Sequence, residues 1–370
     1  MFKISRKDLL EGLKKATRGI STRSTLPILE GVLCEFGSGE LKITGSDLTT
    51  SIIVKIPCET GMFDDVFILD GKMFLDIISK MSSDEIEVSR NDKIVTIKGG
   101  KSTFNINIKG TKEEYPTIEH TLSEKKEIVL KADVFKELLA KTVPFVMKDD
   151  TRPTLTGVLF SFKEGKITAV SLDGYRMGHT INSVSNTEEV DLIIKGDDLA
   201  NIVKTLDKET IKISFSDNST LVGFENGNTS IYTKQLGGQF FNFAELLKKA
   251  NDSNVSIEVE TMALKDAMER VNIVAKDGAT FKPTELYIEE GHLIISTKSE
   301  TGNAVEKIKI EELEGEQESF KIAFNPFLFL EGLKTVLSEK IELKVKSEIE
   351  PLFAIEKEGS FVYMLLPIRI

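Results

Sequence analysis

Two cysteines and three histidines in 370 residues leave little with which to hold a metal or build a disulfide framework. Cys34 and Cys58 lack metal-ligand spacing, and His120, His179 and His292 stand alone, with no HExxH and no Cys/His cluster. The thiols are therefore expected to be reduced, as in a cytoplasmic protein, and no metal or cofactor site is expected. No apolar run approaches the ~18 residues that cross a bilayer, and Met1-Phe2-Lys3 reads as the start of a strand rather than of a signal peptide. Both features disfavour a membrane protein or an extracellular binding protein. Nucleophile elbow, dinucleotide fingerprint and kinase signature are all missing. Lys98-Gly99-Gly100-Lys101-Ser102 ends like a phosphate-binding loop, but Val95 stands where its first glycine belongs. Alternating segments flank it, so it reads as a hairpin turn. Without clustered carboxylates a nuclease or polymerase subunit is disfavoured too. Catalysis has no candidate.

What the chain does have is a repeat of about 126 residues. GELKITGSDL from Gly39, GKITAVSLDG from Gly165 and GHLIISTKSE from Gly291 share one pattern, with Asp47, Asp173 and Ser299 at the same offset. PILEGVLCEF from Pro27 is matched by PTLTGVLFSF from Pro153, and more loosely by FKPTELYIEE from Phe281. FILDGKMFLDIISKM, LIIKGDDLANIVKTL and IAFNPFLFLEGLKTVL each give an apolar strand, a turn and an amphipathic helix. Solenoid units run about 20–50 residues, so this period is a whole domain. The spacing predicts three domains, near 1–122, 125–250 and 253–370, joined by polar linkers at 121–126 and 251–254.

Each copy is predicted to run strand, helix, several strands, second helix, several strands. Ser5 is a plausible N-cap, with Leu9, Leu10, Leu13 and Ala16 on one helical face. Period-two segments such as 104–108 give the strands. The fold class is α+β, with an antiparallel sheet and two helices on one face per domain. Asp47 and Asp173 recur in different domains, so they read as turn-capping residues rather than as paired metal ligands.

A net charge of −11 argues on its face against nucleic acid. It is unevenly spread. The predicted helices, 6–23, 72–80, 133–152, 195–208, 265–276 and 325–340, hold 20 Lys/Arg against 14 Asp/Glu, so the sheets and loops carry the acid. If the helices share one side, that side could meet a phosphate backbone.

Three tandem α+β domains, with TLPIL at Thr25–Leu29, TGSDL at Thr44–Leu48, DGYRM at Asp173–Met177 and the terminal LLPIRI, resemble the bacterial beta sliding clamps. These are processivity subunits of the replicative DNA polymerase III. The resemblance covers the whole chain. It implies a non-catalytic head-to-tail homodimer closing a ring, with helices lining the hole and sheets outside. It also implies partners: encircled duplex DNA, the replicative polymerase catalytic subunit, a clamp loader and other proteins bearing a clamp-binding motif.

By this resemblance Arg23, Lys72 and Arg152 fall where the family contacts duplex DNA. Lys14, Lys15, Arg18, Lys141 and Lys148 are supporting charges that would touch phosphates and read no sequence. The family's partner groove maps onto Leu155, Leu172, Gly174, Tyr175, Arg176, Met177, Phe241, Leu246 and Asn325. The chain end, Met364, Leu365, Leu366, Pro367, Ile368, Arg369 and Ile370, would form its other wall, with Arg176 and Arg369 at the edge. Two departures bear on the groove: Phe241 stands where the family usually has proline, and Glu245 where some members have arginine. The subunit seam maps onto Phe104 and Ile106 in the first domain and Ile273 and Val274 in the third.

Overall fold

Strand pairing runs across the repeat boundaries instead of staying inside each copy, and this organises the molecule. The structure, a computed structural model, describes residues 1–21, 26–59, 64–116, 118, 125–185, 188–217, 220–278, 280–315, 320–356 and 360–369. It divides into two compact units, Met1–Phe135 with Asp197–Gln235, and Lys136–Gly196 with Leu236–Ile370. Seven α-helices occur among the described residues: α1 (Arg6–Ala16), α2 (Gly71–Lys80), α3 (Ala132–Ala140), α4 (Gly196–Ile202), α5 (Ala244–Asn251), α6 (Thr261–Ala275) and α7 (Pro326–Leu333). None is long and apolar enough to cross a membrane.

The first unit holds an eight-stranded antiparallel sheet that joins two copies of the repeat. Thr50–Pro57 of the first copy pairs with Thr229–Lys234 of the second, setting Ile52 opposite Ile231. The second unit repeats the device in a nine-stranded sheet, where Arg176–Ser183 of the second copy pairs with Phe361–Leu365 of the third, Met177 opposite Met364. The sequence had assigned a separate sheet to each domain. Long-range pairing of edges fuses them, because an unpaired row of N–H and C=O groups is satisfied by the next copy.

Each unit also keeps a four-stranded sheet. In the first it runs Phe2–Ser5, Glu85–Asn91, Ile94–Gly99, Ser102–Asn107, and in the second Gly302–Lys309, His292–Ser299, Thr284–Glu289, Lys321–Phe324. The segment at 98–102 is the expected hairpin turn, with Gly99 opposite Ser102 and Gly100 at φ +59°.

Helix α1 shows how the sequence sets the local structure. Ser5 accepts from the Asp8 N–H at 3.4 Å, Asp8 sits in the positive first turn, and Leu9, Leu13 and Ala16 are fully buried. Gly12 faces Ile56, whose Cδ1 lies 2.3 Å from where a Cβ would be, so the helix rests directly on the sheet. In α6, Leu264, Ala267, Met268 and Val271 form the matching buried stripe.

Most helices stop earlier than expected. The 6–23 prediction ends at Ala16 and 133–152 at Ala140, with short 3-10 turns at Val143–Phe145 and Pro153–Thr156 beyond it. Pro144 and Pro153 lack the N–H an α-helix needs there. This moves the charge. Without α5, which the sequence reading missed, the six helices hold nine Lys/Arg and ten Asp/Glu, so the basic excess lies in the segments that follow them. Helix α5 occupies a stretch read as the approach to a linker. Leu246, Leu247 and Ala250 face one side of it and pack on the nine-stranded sheet.

Candidate functional site

The second unit presents an apolar surface on one face of its nine-stranded sheet. Leu155, Leu172, Met177, Val362 and Met364 are buried there, and Met147, Phe240, Phe243 and Leu246 pack against them half-buried. The Asp173 carboxylate shapes its end. It accepts from the Tyr175 and Arg176 N–H groups, both at 3.0 Å, which turns the chain and leaves Gly174 at φ +91°. That angle favours glycine, and the position opens a gap with no neighbour nearer than Met147. Tyr175, Phe241 and Leu366 stand exposed around the surface. The Tyr175 carbonyl accepts from the Leu366 N–H at 2.8 Å, and the Ala323 carbonyl from the Ile368 N–H at 2.7 Å, which fixes the chain end. Pro367 and Ile368 are half-buried and Arg369 is exposed, while Ile370 lies outside the described residues.

Three of the expected groove residues point elsewhere. Successive strand residues face opposite sides, so Arg176 and Leu365 lie on the other face of the sheet from Met177 and Met364. Leu365 joins the core with Phe145 and Tyr363. Arg176 is 7% exposed and fully engaged: its Nε donates to Asp173 Oδ2 at 2.9 Å, Nη1 to Glu331 and Nη2 to the Pro144 carbonyl, over the Phe145 ring. It is a structural brace, not a groove edge. Asn325 caps α7, accepting from the Phe327 N–H at 3.0 Å. The sequence reading missed Met147, Phe240, Phe243 and Val362. The three phenylalanines at 240, 241 and 243 were the available signal.

The repeat shows why, among the described residues, the second internal seam carries this surface and the first does not. At the first seam the counterparts of Leu172, Gly174, Met177, Val362 and Met364 are Ser46, Leu48, Ser51, Ser230 and Tyr232. Ser51 donates to Ser46 at 2.9 Å, a polar pair where the second unit has apolar side chains. Asp47 makes the same turn as Asp173, accepting from the Thr49 and Thr50 N–H groups, so both aspartates cap turns as the sequence suggested. Behind α5, burial pushes the His179 imidazole down to about 4, so it stays neutral. His292 is exposed, and His120 lies outside the described residues.

Of the basic residues expected to meet DNA, Lys72, Lys148, Arg152, Lys14 and Arg18 are exposed. Lys14 is paired with Glu11 at 2.8 Å, and Arg23 lies outside the described residues. Lys15 and Lys141 cannot serve. Lys15 is 8% exposed and reaches Asp207 Oδ2 at 2.8 Å and Thr229 Oγ1 at 3.2 Å. Lys141 is 1% exposed, between Glu137 at 2.7 Å and Glu356 at 2.8 Å. Both are committed to ion pairs between copies.

At the expected subunit seam, Phe104 and Ile106 lie on Ser102–Asn107, the last strand of its four-stranded sheet. Ile273 is 77% exposed on α6 and Val274 half-buried, near the edge strand Gly302–Lys309 with its exposed Val305. Isolated exposed apolar groups need no explanation, but a row of them along free edges does.

Comparison with known proteins agrees with this organisation. Residues 1–119, 129–242 and 249–369 match the models of the N-terminal, central and C-terminal domains of the DNA polymerase III beta subunit. The chain is 28% identical to the beta sliding clamp of Bacillus subtilis over 386 residues, covering 100% of this chain and 99% of the relative. The Staphylococcus aureus beta sliding clamp gives 28% over 384 residues with the same coverage. Among solved structures, a DNA polymerase sliding clamp from Bacillus subtilis superposes with a TM-score of 0.93 at 25% identity, covering 100% of this chain and 99% of that one. A putative DNA polymerase III beta subunit from Eubacterium rectale gives 0.92 at 25% identity, with the same coverage.

Proposed function

The chain belongs to the DNA polymerase III beta subunit family, and from that premise we propose that two copies close head to tail into a ring around duplex DNA. It acts as a sliding clamp, a processivity subunit that catalyses no reaction, and works in the cytoplasm. Its three domains fall near 1–122, 125–250 and 253–370.

The observation that carries the ring is the unfinished repeat of the seam. Strands Thr50–Pro57, Arg176–Ser183 and Gly302–Lys309 are counterparts, spaced 126 residues apart. The first two pair with the next copy inside the chain, and the third pairs, among the described residues, on one side only, with His292–Ser299. Its natural partner is Ser102–Asn107, the first-copy counterpart of Thr229–Lys234, each following a left-handed hairpin glycine, Gly100 and Gly227. Carrying the internal registers over sets Gly302 of one chain opposite Ile106 of the other, and Ala304 opposite Phe104. Two identical contacts of this kind close a ring. Inside it, Lys72, Lys148, Arg152, Lys14, Arg18 and Arg23 meet phosphates without reading bases.

The apolar surface beside Gly174 takes a short linear motif of the polymerase catalytic subunit, clamp loader and other clamp-binding proteins. Such a peptide buries two or three apolar anchors among Leu155, Leu172, Met177, Leu246, Phe241 and the chain end. Each fully buried large side chain contributes roughly 1.5–3 kcal/mol before ordering costs. Deleting residues 366–370 removes one wall and leaves the seam strands untouched. Fluorescence anisotropy is expected to show peptide affinity falling by about a hundredfold, the equivalent of ~2.7 kcal/mol, with the dimer mass unchanged. Unchanged affinity would place the motif elsewhere.

A further inference from the structure

The two internal seams share a charged device that takes a different form at the chain's open end. At the first seam Lys15, in the last turn of α1, crosses to Asp207 and Thr229 of the second copy. At the second, Lys141, 126 residues on, crosses to Glu356 of the third, 5.3 Å from the Phe361 ring centre. Thr229 and Phe361 each begin the receiving strand. The two acceptors gather at one corner. Asn226 Oδ1 holds the Asp207 N–H at 2.9 Å, and Glu356 Oε1 holds the N–H of Leu337, the counterpart of Asp207, at 2.7 Å. In both seams a lysine of one copy is buried against a carboxylate of the next.

Aligning α1, α3 and α6 on their buried stripes, Leu9 with Phe135 and Leu264, Leu13 with Leu139 and Met268, puts Arg270 at the position of Lys15 and Lys141. Arg270 binds its own chain. Its Nε and Nη2 each donate to the Glu306 carboxylate at 2.8 Å. Glu306 lies on the edge strand Gly302–Lys309, where the first two copies have Val54 and Thr180. On the receiving side, the first copy has Ser82 where the second has Asp207, and Gly99 where it has Asn226. The carboxylate has moved from the receiving copy to the donor's own strand.

We infer that Arg270–Glu306 is the charge lock of the seam between two chains, closed within one chain and docked on an uncharged corner of the second copy, Ser82, Gly99 and Ser102. This deepens the proposed dimer and rests on it. Parting an internal seam would break the ion pair that crosses it, Lys15–Asp207 or Lys141–Glu356. Parting the seam between chains strands neither charge, so that seam joins and separates as a neutral surface at this position.

The test is the dimer dissociation constant of the full chain, from sedimentation of a dilution series at 0.1 and 0.5 M NaCl. Glu306→Gln leaves Arg270 covered by the partner without its hydrogen-bonded anion, with only Asp266 one turn back on α6 acting on it, and dissociation is expected to rise about tenfold or more. Adding Ser82→Asp supplies the carboxylate from the partner, as in the internal seams. The double variant is expected to return to within about threefold of wild type, with a clearly steeper salt dependence. A dimeric Glu306→Gln protein within about twofold of wild type overturns the inference alone, as does failure of Ser82→Asp to restore binding. A wild-type monomer at micromolar concentration overturns the dimer itself, and this lock with it.

Discussion

Replacing Ile273 and Val274 by aspartate is expected to turn the protein into a monomer. Ile273 is 77% exposed beside a strand edge whose two counterparts are both paired within the chain. Burial of such a side chain stabilises by roughly 1.5–3 kcal/mol, and a charge in its place adds a desolvation cost. A ring has two seams, so the loss is on the order of 6 kcal/mol or more, about four orders of magnitude in the dissociation constant. Light scattering at micromolar concentration checks this. Ile273 lies on the exposed face of α6, opposite the buried Leu264, Met268 and Val271, and Val274 is half-buried at the margin of that stripe, so the fold is expected to persist. A variant that stays dimeric would remove α6 from the seam.

The second large effect is Lys141→Ala, read as stability. Its ammonium sits between Glu137 and Glu356, and Glu356 is itself 5% exposed. Among the described residues, removing the lysine leaves the buried Glu356 carboxylate with the Leu337 N–H at 2.7 Å and the Ser360 hydroxyl at 3.4 Å. Breaking one side of a buried pair costs about 3–5 kcal/mol. In a unit of this size that lowers the melting temperature by on the order of 10 °C. Lys141→Met with Glu356→Gln removes both charges and is expected to recover most of the loss. A melting curve for Lys141→Ala within a degree or two of wild type would show that the pair contributes little. On the DNA-contact reading the same variant would weaken DNA binding and leave the melting curve alone.

These two residues also mark where sequence reasoning stops. The repeat itself was legible because turn chemistry is local: Asp47 and Asp173 each bond to backbone N–H groups two and three residues ahead. The N-cap at Ser5 and the stripes of α1 and α6 are equally local. Lys15 and Lys141 looked like solvated helix charges because their partners, Asp207 and Glu356, arrive from the next copy, 192 and 215 residues away. Arg176 was a different failure. Period-two alternation already put it on the opposite face from Met177, and following that rule along the strand would have removed it from the groove. The 133–152 helix was overextended because the prediction ran through Pro144. Helix α5 was missed because its apolar residues, Leu246, Leu247 and Ala250, cover barely two turns between polar neighbours.

The central claim is encirclement, and topology tests it directly. The protein is assembled on nicked circular duplex, washed in high salt and separated from free protein by gel filtration, before and after the circle is cut once. Contacts to phosphates alone weaken steeply with salt and do not distinguish a circle from a line. A closed ring stays on the circle through the wash and runs off the cut end, and Ile273→Asp with Val274→Asp is not retained on either. Equal retention on circular and linear DNA, or retention of the monomeric variant, would contradict the account.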